Sequence, residues 1–328
     1  MGEFDLIARF FARPAPPGAA IVRGIGDDCA VLQPTAGMQL AVSSDMLVEG
    51  RHFLSTVDPE ALGHKALAVN LSDLAACGAQ PLAFTLALAL PRADPGWLEP
   101  FARGLFALAD GHGCALVGGD TTQGPLNICI TVFGEVPRGQ ALLRSGAQAG
   151  DDIYVSGNLG DARLALEVFR GTLSAPAEVF DAARRRMERP LPRVALGLSL
   201  RGIASAAVDV SDGLLGDLGH VLHASRVGAV VDTSIAMQLM AAGERLAYAT
   251  PQFGPERQLE YVLAGGDDYE LCFTAPASAR DAVQAAADRT GTPVTCIGRV
   301  EPEPGLRLID AHGDPVVGRF ASFDHFAP

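Results

Sequence analysis

The sequence predicts a two-domain α/β (α+β) protein, and three observations carry that prediction. Short apolar runs alternate with helical stretches along the whole chain. At 328 residues, 48% hydrophobic and 19% charged, the chain is long enough for two cores. A segment from Pro137 to Asp152, punctuated by Pro137, Gly139, Gly146 and Gly150, divides it near the middle. The expected domains are residues 1–143 and 144–328.

In the first half, Phe4, Ile7, Ala8 and Phe11 recur at helical spacing, and Pro14, Pro16 and Pro17 stop that helix. After an acidic turn at Gly24 to Asp28, strands are expected over Ala30 to Leu32 and Gln39 to Ser43, which puts Asp45 just past a strand end. Asp58 and Pro59 are an N-cap and a first helical residue for a helix running to Gly78. From Ala66 to Cys77 that helix is apolar nearly all round, so Asn70 and Asp73 interrupt a buried surface. A carboxylate there must be paired, protonated or metal-bound, and Asp73 either caps a local loop or ligates a metal. A strand at Leu82 to Leu90, a helix from Asp94 to Asp110, a strand at Ala115 to Val117 and a long strand at Asn127 to Val136 complete this half.

The second half opens on a strand at Ile153 to Ser156, with helices at Asp161 to Arg170 and Ala177 to Arg189. Arg184, Arg185 and Arg186 are expected on a solvated helix face. Ala206 to Val210 is a buried strand in which Asp209 is costly unless paired. Ser211, Asp212 and Gly213 open a helix to Ala224 whose N-terminal amides favour an anion. A strand at Gly228 to Asp232, a looped stretch from Met237 to Pro255, a strand at Tyr269 to Thr274, a helix at Ala277 to Thr290 and strands at Val294 to Val300 and Leu306 to Ile309 follow. The aromatic tail, Phe320 to Phe326, is expected to fold back onto the body.

The recurrent feature is an acidic turn after an apolar run: Asp27-Asp28, Ser43-Ser44-Asp45, Gly118-Gly119-Asp120, Asp209 to Asp212, and Gly265 to Asp268. Carboxylates that converge repel at about 4 kcal/mol per close pair at an effective dielectric near 20, so such a set needs cations. The protein supplies few: Lys65 is the single lysine, and the net charge is −13. Oxygen ligands of this kind suit Mg²⁺ bridging to phosphate. The paired glycines before Asp120 allow backbone amides close to a phosphate. Arg144 is either solvated in its polar linker or a bidentate fork beside that phosphate, and His52 either an edge histidine or a substrate contact.

The same charge argues against a nucleic-acid footprint. Six cysteines without CxxC spacing, mostly inside apolar runs, are expected as buried free thiols in a reducing compartment. No stretch of about 18 apolar residues occurs, and Glu3 and Asp5 stand where a signal peptide carries base, so a cytoplasmic protein off the membrane is expected.

These residues fall in strings that resemble the thiamine-monophosphate kinase family, within the aminoimidazole ribonucleotide synthetase-like superfamily. The strings are GEFDLIARFF from Gly2, GIGDDCAV from Gly24, SSDMLVEGRHF from Ser43, KALAVNLSDLAACGAQP from Lys65, GGDTTQGPL from Gly118, RSGAQAGD from Arg144, DVSDGL from Asp209, GGDDYEL from Gly265 and FDHF from Phe323. The resemblance spans essentially the whole chain. It implies a homodimer paired through the N-terminal sheets, with ATP in a cleft between domains. It further implies several Mg²⁺ ions on Asp28, Ser43, Ser44, Asp45, Asp73, Asp120, Asp209 and Asp212, of which Asp45 and Asp120 matter most for catalysis. ATP would meet Gly119, Asp120, Arg144 and Ser211, and thiamine monophosphate would meet His52, Asp267 and Phe323. The implied reaction moves the γ-phosphoryl of ATP onto thiamine monophosphate, a transfer that demands positioning and charge neutralisation and no covalent nucleophile.

Neither a Walker A string nor kinase HRD or DFG strings occur. Two departures from the family pattern stand out: Asp267 where a glutamate is common, and Phe323 where an aromatic with a polar edge is frequent. The competing expectations are another ATP-dependent enzyme of the superfamily and a non-catalytic nucleotide or metal sensor on the same fold. Selenophosphate synthetases would need a reactive cysteine in a glycine-rich N-terminal loop, and the hydrogenase-maturation type a C-terminal cysteine. Here the first cysteine is Cys29 and the chain ends His325-Phe326-Ala327-Pro328.

Overall fold

The computed structural model describes residues 2–14, 20–243, 245–246, 250, 253–318 and 320. The tail beyond Phe320, Phe323 included, lies outside the described residues. The chain divides into two compact units, Met1–Leu74 with Ala79–Ala141, and Ala75–Gly78 with Leu142–Pro328.

In the N-terminal unit, α1 (Glu3–Leu6) runs directly into a π-helical segment, Ile7–Phe11. A two-stranded hairpin of β1 (Ile21–Arg23) and β2 (Val31–Leu32) encloses the first acidic turn. Then follow β3 (Met38–Val48), α2 (Pro59–Ala76), β4 (Gln80–Leu90), α3 (Pro95–Gly111), β5 (Ala115–Gln123) and β6 (Asn127–Pro137). The sheet order is β3-β6-β4-β5, with only β4 and β5 parallel.

Both long helices start as their sequences dictate. The Asp58 carboxylate accepts from the Ala61 amide at 3.0 Å, and the Asp94 carboxylate from the Gly96 amide at 2.9 Å. Helix α2 buries Leu62, Leu67, Leu71 and Leu74, each contributing about 1.5–3 kcal/mol. It meets α3 backbone to backbone, because a Cβ on Gly63 would lie 2.0 Å from the Phe101 carbonyl oxygen and one on Gly104 would lie 1.9 Å from that of Glu60.

Two strands run longer than the sequence suggests. β3 continues through Ser43, Ser44 and Asp45 because it pairs with β6 over its whole length, from Met38↔Pro137 to Val48↔Asn127. Asp45 therefore sits inside a strand, not past its end. β5 likewise carries Gly118, Gly119 and Asp120 within the strand, paired with β4. In both, the hydrogen-bond ladder outweighs poor local strand propensity.

In the C-terminal unit the elements are β7 (Asp151–Ser156), α4 (Asp161–Phe169), α5 (Ala177–Glu188), α6 (Val194–Ser199), β8 (Ala206–Val210), α7 (Leu214–Ser225), β9 (Gly228–Asp232), α8 (Thr233–Ala236), α9 (Pro255–Ala264), β10 (Glu270–Pro276), α10 (Arg280–Thr290), β11 (Val294–Glu301) and β12 (Gly305–Ile309). The six strands are ordered β12-β9-β11-β7-β10-β8, with β12 and β9 the parallel pair. β7, β8 and β10 are buried along nearly their whole length. Helix α9 was not apparent from its sequence, although Pro255 stands at its first turn.

The cysteines divide. Cys114 and Cys272 are buried, and burial pushes both thiols up to about 12. Cys29 and Cys296 are exposed, which corrects the expectation of burial for those two. Among the described residues no helix is long and apolar enough to cross a membrane.

Candidate active site

On the N-terminal unit the acidic residues gather around β3 and α2. Strand alternation turns Ser43, Asp45 and Leu47 to the less exposed face and Leu40, Val42, Ser44 and Met46 to the more exposed one. The Ser43 hydroxyl donates to Asp73 Oδ2 at 2.5 Å, so the carboxylate on α2 is met by a hydroxyl of β3. One turn earlier on α2, Asn70 Oδ1 accepts from the Asp45 amide at 3.1 Å while its Nδ2 donates to the Ala66 carbonyl at 3.0 Å. Asn70 thereby fixes the strand against the helix beside Asp45. Ser44 turns the other way, exchanging a hydrogen bond with Thr131 Oγ1 at 2.9 Å and donating to the Ile130 carbonyl at 3.2 Å.

Asp120 and Asp28 lie apart from that group. Ladder register places Asp45, Ile130, Leu86 and Gly119 on one rung and Met46, Cys129, Ala87 and Asp120 on the next. β3 and β5 are opposite edges of the sheet, so Asp45 and Asp120 are separated by three strand spacings, about 14 Å. Asp28 is exposed in the hairpin turn, where its amide donates to Asp27 Oδ1 at 3.0 Å and Asp27 pairs with Arg23 at 3.1 Å. Among the described residues no three His, Cys, Asp or Glu side chains form a ready metal cluster. Gly119 is held at φ 149°, and a Cβ there would fall 1.8 Å from the Leu86 carbonyl oxygen, so only glycine fits.

His52 lies in the turn after β3. Its Nδ1 accepts from the Val48 amide at 3.0 Å, and its own amide donates to the Val48 carbonyl at 3.0 Å. With Nδ1 accepting, the neutral ring carries its proton on Nε2.

On the C-terminal unit two acidic turns interlock. The Asp267 amide donates to the Ser211 carbonyl at 2.7 Å and the Tyr269 amide to the Val210 carbonyl at 2.8 Å. Gly266, at φ 69°, passes so close that a Cβ would sit 2.8 Å from the Ser211 carbonyl oxygen. Asp267 (φ 63°) and Tyr269 (φ 53°) both hold left-handed backbone, a conformation costing of order 1–3 kcal/mol that clusters at functional sites. Asp209 pairs across the ladder with Leu271, two residues before Ser211. Arg144 is exposed, and its carbonyl accepts from the Ser225 hydroxyl at 3.2 Å.

The anion expected at the start of α7 belongs to the chain itself. Asp217 Oδ2 accepts from the amides of Ser211, Asp212 and Gly213 at 3.1, 3.1 and 3.2 Å. Burial pushes the Asp217 carboxyl up to about 6, the charge of Asp212 adding to that and the amides opposing it. Those amides are thus filled from within, and they shape the Asp212 turn instead of holding a phosphate. The available signal was an acid in the first turn of a helix beginning after Gly213.

Beneath the second turn is a buried ionic network. Arg193 forks onto Glu270 with two bonds of 2.6 Å, Arg186 adds one at 2.9 Å, and the Ser156 hydroxyl one at 2.6 Å. Arg186 thus leaves the solvated face expected of it. A Cβ on Gly157 would fall 2.0 Å from Glu270 Oε1, so glycine there makes room for the carboxylate. Both oxygens of Asp268 accept from the Gly160 amide, at 3.1 and 3.0 Å, and burial holds its carboxyl well above the usual range.

Residues 26–136 match the family of AIR synthase related proteins, N-terminal domain, and residues 148–311 its C-terminal domain. The thiamine-monophosphate kinase of Escherichia coli (strain K12) is 46% identical over 328 residues, covering 99% of this chain and 98% of that protein. The crystal structure of thiamine-monophosphate kinase from Stenotrophomonas maltophilia K279a superposes with a TM-score of 0.82 at 48% identity, over 89% of this chain and 92% of that one. A second solved structure, AaThiL complexed with AMPPCP and TMP, matches with a TM-score of 0.75 at 30% identity, over 89% of each chain.

Proposed function

The chain belongs to the thiamine-monophosphate kinase family, and from that membership we propose that it transfers the γ-phosphoryl of ATP to thiamine monophosphate, yielding thiamine diphosphate and ADP. The carrying observation is likeness over nearly the full length of both chains to proteins of that name, one solved with an ATP analogue and TMP. A phosphate oxygen of thiamine monophosphate attacks the γ-phosphorus as its bond to the β-phosphate oxygen breaks, in line and without a phosphoenzyme.

The donor set fits Mg²⁺ in kind, since every candidate ligand is a hard oxygen. Asp28, Ser43, Ser44, Asp45, Asp73 and Asp120 on the N-terminal unit, and Asp209 and Asp212 on the other, would hold several ions. Bound there, Mg²⁺ would neutralise the charge of two polyanionic substrates. Gly119, Asp120, Arg144 and Ser211 bind ATP in this reading, Arg144 supplying a guanidinium fork to phosphate. His52 contacts thiamine monophosphate, Asp267 recognises its cationic ring end, and Phe323 stacks on it.

The exposed face of the N-terminal sheet supports a homodimer. Leu40, Val42 and Met46 on β3 are about half exposed, at 48%, 58% and 52%, a row of apolar side chains that a second sheet would cover. Free cysteines suit a reducing, cytoplasmic setting.

The test is direct. The purified protein, ATP, Mg²⁺ and thiamine monophosphate should give thiamine diphosphate and ADP in equal amounts, and chelation should stop it. Turnover of ATP without thiamine diphosphate, or no turnover at all, overturns the reading.

A further inference from the structure

The loop that carries Arg144 is held more closely than an ordinary linker. Leu142 and Ala147 at its two ends are buried, and the exposed residues Leu143 to Gly146 arch between them. On one side the arch is tied to β8, the edge strand, where the Ala207 amide donates to the Leu143 carbonyl at 2.9 Å. On the other it meets helix α7. The Ser225 hydroxyl donates to the Arg144 carbonyl at 3.2 Å and accepts from the Gly146 and Ala147 amides, each at 3.1 Å. A hydroxyl has one donor and two acceptor sites, so Ser225 spends its whole capacity on this turn.

Ser225 is the last residue of α7 because Arg226 takes left-handed backbone, φ 58°, and the Val227 amide turns back to the Leu222 carbonyl at 3.1 Å. The helix begins at the Ser211-Asp212-Gly213 turn, so about 18 Å of rigid helix sets the distance from that turn to the arch.

The Arg144 side chain contrasts with its backbone. It is exposed, and among the described residues its guanidinium makes no hydrogen bond or ion pair. An arginine that is only solvated gains nothing from a fixed backbone. A guanidinium that must meet phosphate oxygens as a planar fork does gain, since freedom removed beforehand is not lost on binding.

We propose that Ser225 is a positioning residue for ATP: its hydroxyl fixes the backbone of Arg144 so that the guanidinium is aimed at phosphate. Ser225 acts only through Arg144. The proposal rests on the kinase reading above, in which Arg144 binds ATP, and adds to it the residue that aims Arg144.

The test is a binding cycle on the full chain. Mg²⁺-ATP is titrated by calorimetry, without thiamine monophosphate, into wild type, Arg144→Ala, Ser225→Ala, Ser225→Thr and the Arg144→Ala/Ser225→Ala double variant. Arg144→Ala should weaken ATP binding by about tenfold or more, and Ser225→Ala by about fivefold. Ser225→Thr keeps the hydroxyl and should bind within about twofold of wild type. Once Arg144 is gone, Ser225→Ala should add less than about twofold. The melting midpoint of Ser225→Ala should stay within about 3 °C of wild type, and its KM for thiamine monophosphate within about twofold.

A Ser225→Ala variant that melts lower yet binds ATP as wild type does would make the hydroxyl a tether of helix and loop alone, and overturns the proposal. A fivefold loss that persists without Arg144 also overturns it, because Ser225 would then act by another route. If Arg144→Ala binds ATP normally, Ser225 has nothing to aim and the proposal falls, while formation of thiamine diphosphate keeps the kinase reading. Calorimetry needs no turnover, so if no thiamine diphosphate forms the kinase reading fails and the cycle still decides the role of Ser225.

Discussion

The two units treat the same sequence signature, an acid after an apolar run, in opposite ways. On the N-terminal unit Asp45 and Asp120 stand on strands at the two edges of one sheet, Asp120 exposed and Asp45 half-buried beside Asn70. On the C-terminal unit Asp217, Asp268 and Glu270 are buried and spend their oxygens on backbone amides and arginines. Burial separates the two fates. A carboxylate inside a core must be satisfied by the chain or take up a proton, whereas one at a solvent-facing edge is under no such demand. The buried kind holds in place the turns that carry Asp212 and Asp267.

The largest effect should come from the N-terminal pair. Asp45→Asn and Asp120→Asn should each cut turnover by about 10³-fold, because each removes a carboxylate that would hold Mg²⁺ against the phosphate charge in the transition state. The melting midpoint should stay within about 2 °C, since neither side chain is part of a core. Retention of a tenth of the activity by either variant breaks the contrast between the units.

Glu270→Gln should do the reverse. Removing the charge leaves Arg193 and Arg186 facing a neutral amide in a buried site, a loss of about 3–5 kcal/mol. Denaturant unfolding of the full chain should show the transition of the C-terminal unit moved to lower concentration, and unchanged unfolding with lost activity would make Glu270 a site residue after all.

Much of this was legible in advance where local chemistry decides. Asp58-Pro59 and Asp94-Pro95 fixed two helix starts, and Ala206 to Val210 announced a buried strand. Pairing between distant segments was not legible: β3 reaches Val48 only because β6 runs beside it, and Arg186 leaves its helix face only because Glu270 lies within reach. The pairing of Ser43 with Asp73 joins two residues singled out from sequence, while Asp217 escaped notice because its role depends on a turn that only the fold creates.

Asp267 sits between the two classes, half-buried but with its backbone strained at φ 63°. Asn tolerates left-handed backbone, so Asp267→Asn should preserve the turn and isolate the charge. A charged hydrogen bond is worth about 1.5–3 kcal/mol, so thiamine monophosphate should bind about tenfold more weakly or worse while ATP affinity stays within about twofold. Equal weakening of both ligands, or of neither, would move Asp267 into the scaffold class.

The smallest effect tests the scaffold class at its surface. Asp152 on β7 is buried, with its side chain 3% exposed, but its partner Arg280 is 57% exposed and meets it with bonds of 2.6 and 2.9 Å. Hydrogen bonding to Arg280 holds the Asp152 carboxyl below its usual range, burial opposing. A folded value below the unfolded one means that the carboxylate stabilises the native state above the unfolded value of 3.8, and that this contribution is lost as pH falls through the folded value. Solvent at Arg280 screens the pair, so Asp152→Asn should cost only about 1 kcal/mol at neutral pH. The stability gap between wild type and variant should be constant above pH 3.8 and narrow below it. A gap that widens on acidification, or a loss as large as that of Glu270→Gln, would show that exposure of one partner does not discount a buried carboxylate in this sheet.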